Sequence, residues 1–196
     1  MGAADPTGEA GGRQADIVDF LSDAAAYPAG AGPIERIDTH SAHVFLAGDR
    51  AWKMKRAVRF PFLDFSTLES RRANCLRELV IKRRTAPEHY LVIAAALRRS
   101  DGMLAIGRLR EDPAQDAGTE DGEPVEWLVA MRRFAQEALL DRMAEDGRLT
   151  ERSVLETADA VRKLHDEAER FPSSALQGGA IGGMRVAAHD TLGGLR

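Results

Sequence analysis

Cysteine is nearly absent. Cys75 stands alone among 196 residues, so no disulfide can form within the chain, and a reduced, cytoplasmic setting is expected. Long apolar runs are missing as well. None approaches the roughly 20 residues that cross a bilayer, so no membrane partner is expected. Neither sign of charge dominates: 27 Lys and Arg stand against 31 Asp and Glu, a formal net charge of -4. That leaves no basic excess to suggest a nucleic-acid partner. The five histidines and one cysteine show no zinc-ligand spacing. There is no G-x-S-x-G nucleophile elbow and no GxxxxGK[ST] phosphate loop. The opening MGAADPTGEAGGRQ has no apolar h-region, so no secretory signal is expected. Its Gly/Ala-rich composition predicts a disordered tail over residues 1–14.

What is present suffices for a folded core. Hydrophobic residues make up 44% and charged residues 30%, an ordinary globular balance in a chain long enough for one large or two small domains. From Ala15, the spacing of Ile17, Val18 and Leu21 predicts a short amphipathic helix stopped by Pro28. PIERIDTH reads as a first strand. HVFLAG and RAWKMKRAV read as a hairpin about Gly48-Asp49, where glycine supplies the positive φ of a tight turn. RFPFLDF reads as an irregular aromatic connector. Ser66 and Glu69 form a capping-box pattern for a helix running to about Arg84, with an apolar face of Leu68, Cys75, Leu76, Leu79 and Val80. YLVIAAALRRSDGMLAIG predicts strand, Asp-Gly turn and strand, and REDPAQDAGTEDGEP an exposed loop. VEWLVAM is a continuous apolar run of strand length, expected at the centre of a sheet. Beyond it lie a short helix closed by Gly147 and a longer one capped by Thr150, whose face carries Val154, Leu155, Ala158, Val161 and His165. The fold class expected is α+β: about five antiparallel strands with one inserted helix, then helices only.

The second hairpin strand poses the functional question. Alternation puts Lys53 and Lys55 on one face, and Trp52 and Met54 on the other. Lysines facing water along an edge strand would give this pattern. A lysine that contacts nucleotide phosphates, held by a glutamate on the next helix, would give it too. Glu78 lies mid-helix, on the flank of the apolar face, where it can lean under the sheet towards Lys53. The same residue is also spaced for a solvated i,i+4 pair with Lys82.

The wording THSAHVFLAGDRAWKMKRAVRFPFLDFSTLESRR, then CLRELVIKRRTAPEHYL, VEWLVAMRRF and ALLDRMAEDGRLT, resembles a bacterial family of aminoglycoside phosphotransferase-like proteins. These belong to the protein-kinase-like superfamily, and many carry a C-terminal P-loop kinase domain. The likeness covers most of Ile17 to Ala168. It implies a kinase-like small lobe over residues 15–131 and the helical start of a large lobe over 132–196. It implies ATP with magnesium, and a small-molecule hydroxyl as phosphate acceptor. On this resemblance Lys53 is the phosphate-contacting lysine, with Lys55 the alternative and Glu78 the partner. Ser41, in the stretch Thr39 to Ala42, falls where a loop covers the phosphates. Met131 and Arg133 fall at the hinge that would pair with adenine, and Arg132 and Arg133 serve equally as solvated linker charges. His165 is expected as a core histidine.

The family's catalytic loop reads like His-Gly-Asp with an asparagine several residues on, and this sequence contains no such string. AHDTLGG from Ala188 has His-Asp without the asparagine. No catalytic residue and no magnesium ligand is therefore expected in these 196 residues. The resemblance implies the N-terminal part of a longer kinase, inactive by itself. The alternative is a non-catalytic nucleotide-binding or interaction module.

Overall fold

The computed structural model describes residues 6–28, 31–109 and 122–168. The chain divides into two compact units, Met1–Leu149 and Thr150–Arg196.

The first unit is a mixed α+β structure built on an antiparallel sheet. Helix α1 spans Pro6–Ser22. Strands β1 (Glu35–Asp38), β2 (Ala42–Ala47) and β3 (Arg50–Lys55) follow as a meander. A small hairpin, β4 (Arg59–Phe60) with β5 (Leu63–Asp64), leads into helix α2 (Leu68–Arg83). Strands β6 (Tyr90–Arg98), β7 (Leu104–Ile106) and β8 (Glu123–Arg132) complete the sheet. Its six strands run in the order β1-β2-β3-β8-β6-β7, so β8 returns to the middle, between β3 and β6. That placement accounts for the apolar run Trp127 to Met131, because a central strand covered on both faces has no solvent side. Helix α3 (Leu140–Glu145) follows, and Gly147 after it takes φ +65°.

Each sheet face has its own core. On one, Phe45, Trp52, Met54, Leu128 and Ala130 pack with Ile17, Val18 and Leu21 of α1 and with Tyr27. On the other, Ile93, Ala95, Trp127 and Val129 pack with Cys75 and Leu79 of α2. The register pairs Trp52 with Phe45 and Ala130, and Lys53 with Val44 and Val129. A slip of one residue would carry both lysines into the α1-side core, so hydrophobic burial fixes which face they occupy. Gly48 closes the β2–β3 turn at φ +59°, the conformation expected of it.

Several expectations are corrected. Helix α1 starts at Pro6, inside the stretch expected as a tail; proline's fixed φ suits a first helical turn. RFPFLDF contains the β4–β5 hairpin, with Phe60 and Phe62 stacked at 5.9 Å. The cap of α2 is Thr67, whose Oγ1 accepts from the N–H of Ser70 at 3.1 Å. Ser66 is not the cap, because its N–H and hydroxyl both donate to Asp64. Val80 is exposed; the buried stripe of α2 is Arg71, Cys75 and Leu79, spaced by four. The sheet holds six strands rather than about five.

In the second unit the described element is α4 (Glu151–Asp166), capped by Thr150 as its sequence predicts. Among the described residues of α4 none is buried, and His165 is exposed, which corrects its expected place in a core. Residues 110–121, most of the acidic loop, lie outside the described residues, as do the glycine-rich GGAIGGMR and AHDTLGG. Among the described residues no helix is long and apolar enough to cross a membrane.

Candidate functional site

Three charged side chains meet where β3 faces α2. Lys53 Nζ donates to Glu78 Oε1 at 2.7 Å, and Lys55 Nζ donates to Glu78 Oε2 at 2.7 Å. The strand's period of two puts both lysines on the α2 side, and the helix brings Glu78 to them from beside Cys75 and Leu79. One carboxylate thus bridges two ammonium groups. Burial of the Glu78 carboxyl favours its neutral form. The hydrogen bonds and charges of Lys53 and Lys55 outweigh that, and hold it below its ordinary value of 4.5. Tyr90 lies alongside, its hydroxyl pushed up by burial and then by the Glu78 charge.

The two lysines are not equivalent. The Lys53 side chain is 29% exposed, that of Lys55 only 8%. Lys55 also sits over the Phe65 ring, 4.8 Å from its centroid. Lysine presents three N–H donors. Lys53 therefore has both solvent access and donors beyond the one given to Glu78, a combination suited to an anion.

The other residues singled out in the sequence are placed differently. Ser41 lies in the β1–β2 turn at the Lys55 end of the sheet, and its carbonyl accepts from the Arg56 N–H at 2.9 Å. Thr39 and Ala42 clasp this turn through backbone and hydroxyl bonds of 2.9 to 3.0 Å. Met131 is laddered between Ala51 and Tyr90 and packs against the α2-side core. The N–H groups after it are already engaged, Arg132 with His89 O and Arg133 with Asp49 O, each at 2.8 Å. The Arg133 guanidinium reaches Glu35 at 3.4 Å. So Lys53, Lys55 and Glu78 are brought together by hydrogen bonds; Ser41 lies beyond the Lys55 end of β3, and Met131 and Arg133 lie at the end of β8 that pairs with Ala51 and Arg50.

A second network passed unseen in the sequence. Glu126 is fully buried, and Arg71 Nε lies 2.9 Å from both its oxygens. Gln14 of α1 donates to the same carboxylate and, at 3.0 Å, to the carbonyl of Lys55, and it accepts from the Ala57 N–H at 2.8 Å. Arg71 also donates to the carbonyls of Phe65 and Ser66. Two signals marked it: a glutamate inside the apolar run of β8, and an arginine four residues before Cys75 on a buried stripe. This network ties α1, β3, α2 and β8 together directly beside the lysine cluster.

On the opposite face a cavity of about 750 Å³ opens among Tyr27, Asp49, Arg50, Trp52 and Ile106. Among the described residues no group of three or more His, Cys, Asp or Glu is arranged to hold a metal.

No family model matches the chain, and no solved structure does. Proteins of Mycobacterium bovis and Mycobacterium tuberculosis, each described as uncharacterized, are 33% identical to it over 159 residues. The match takes in 81% of this chain but spans only 28% of the length of those curated relatives.

Proposed function

We propose that the α2 side of the sheet holds the phosphates of ATP. On this reading the chain is the N-terminal, nucleotide-holding part of an aminoglycoside phosphotransferase-like kinase with a kinase-like small lobe. The observation that carries this is the 2.7 Å bond between Lys53, on the third strand, and Glu78, on the helix inserted after it. Kinases position their phosphate-binding lysine with that arrangement of elements. The residues fit the ligand: Lys53 is half-open, oriented by a carboxylate that stays ionised, and retains donors for phosphate oxygens. A bound nucleotide would supply the phosphoryl group, magnesium ligands would come from residues outside these 196, and the acceptor is a small-molecule hydroxyl. Lys53 and Glu78 contribute orientation and charge, the terms on which phosphoryl transfer depends.

A second reading is a non-catalytic nucleotide-binding or interaction module. It is favoured by the lack of a His-Gly-Asp string in the sequence. Both readings meet the same first test, calorimetric titration of the chain with Mg-ATP. Binding that disappears in Lys53→Met supports the phosphate site. Binding that survives unchanged in that variant removes Lys53 from it, and a chain that unfolds at the same temperature with and without nucleotide favours the interaction module.

A further inference from the structure

A single lysine paired to a single glutamate is neutral at rest, and an arriving phosphate must compete with the glutamate for the ammonium. The cluster here differs, because Glu78 carries two lysines, one on each oxygen. Counting formal charges, two ammoniums and one carboxylate leave an excess of one positive charge. Nearby, Arg71 and Glu126 form a pair of their own, so they add no net charge to the count.

The second lysine is also held from several sides. Its carbonyl accepts from Gln14 at 3.0 Å, its ammonium donates to Glu78, and the Phe65 ring lies beneath that ammonium. With its side chain 8% exposed, Lys55 has no route to a ligand comparable with that of Lys53.

We propose that Lys55 is a positioning residue that neutralises Glu78, leaving Lys53 with its charge available, so that the cluster is a net-cationic seat for a polyphosphate chain. This rests on the phosphate-binding reading above and adds a division of labour between the lysines. Lys53 swings between Glu78 and the phosphate oxygens, while Lys55 stays on Glu78 and keeps the carboxylate from following.

The experiment is calorimetric titration with inorganic tripolyphosphate, which has the phosphates without base or sugar, at low and moderate salt. The chain itself should bind, and Lys53→Met should abolish binding. Lys55→Met should lower affinity about tenfold or more, because Glu78 then closes on Lys53 alone. Lys55→Arg, which keeps the charge, should recover most of it. If Lys55→Met folds and binds as the unaltered chain does, Lys55 is structural only and the proposal fails. Glu78→Gln decides the matter if Lys55→Met does not fold. Glu78 orients Lys53 for the geometry of transfer rather than for affinity, so removing the carboxylate, which frees Lys53, should hold or raise tripolyphosphate affinity, and a loss overturns the proposal. If Lys53→Met binds unchanged, the phosphate-site reading falls first. No binding by the unaltered chain overturns both.

Discussion

Replacing Arg71 with methionine tests whether the buried network holds this fold. Methionine fills much the same volume without charge, so the change is chiefly electrostatic. Glu126 would remain fully buried, losing an Nε donor at 2.9 Å from each oxygen. Removing one partner of a buried pair costs about 3–5 kcal/mol. The lower half of that range is expected from the pair itself, since Gln14 and the Trp127 N–H still donate to Glu126. The carbonyls of Phe65 and Ser66 lose a donor as well, and a typical hydrogen bond adds about 1 kcal/mol. The sum is about 4 kcal/mol, a large share of the roughly 5–15 kcal/mol that stabilises a domain. In urea, with a slope of about 2 kcal/mol/M, the midpoint should fall by about 2 M. The double variant Arg71→Met/Glu126→Leu removes both charges and should regain about half or more of the loss. The reasoning is refuted if the single variant costs less than about 1 kcal/mol, or if the double variant is no more stable than the single.

Two other expectations follow from the charges and thiol nearby. Glu78 is held below its ordinary value of 4.5, so its contribution to stability is complete above that pH. It is lost as pH falls through the lower folded value. Urea midpoints measured from neutral pH into acid should therefore decline below about 4.5, with a shallower decline in Glu78→Gln; identical slopes would contradict the coupling. Burial pushes the Cys75 thiol up to about 12, and its Sγ faces the Trp127 carbonyl. A thiol reagent at neutral pH should label Cys75 only at the rate the first unit opens, with labelling accelerating in urea; rapid labelling of the native chain would show that α2 does not cover it.

Much of the cluster was legible because it depends on local periods. Alternation alone put Lys53 and Lys55 opposite Trp52 and Met54. Helical spacing alone put Glu78 on the flank of the Cys75–Leu79 stripe. Neither period says whether the strand faces that helix or water, which is why a solvated pair with Lys82 remained open until Glu78 was seen bonded to both lysines. The cap of α2 was misplaced by one residue for a similar reason. Ser66 and Thr67 are both able to cap, and Asp64 occupies Ser66. Residues 6–14 looked too rich in glycine to fold locally, yet α1 starts at Pro6 and Gln14 is buried against Glu126. Helices of weak propensity form when tertiary packing supports them.

The sequence by itself determined the order of the six strands of the main sheet and of the helices, though not the β4–β5 hairpin or the start of α1, together with the Gly48 turn, the face of β3 that carries the lysines and the flank of α2 that carries Glu78. Each of these follows from side-chain period, turn chemistry or capping, all of which act over a few residues. Tertiary structure decided that β8 lies between β3 and β6, that Gln14, Arg71 and Glu126 meet from three separate elements, and that one carboxylate serves two lysines. Those contacts join residues 23 to 112 positions apart. Their geometry comes from how the two faces of the sheet are buried, which no window along the chain contains.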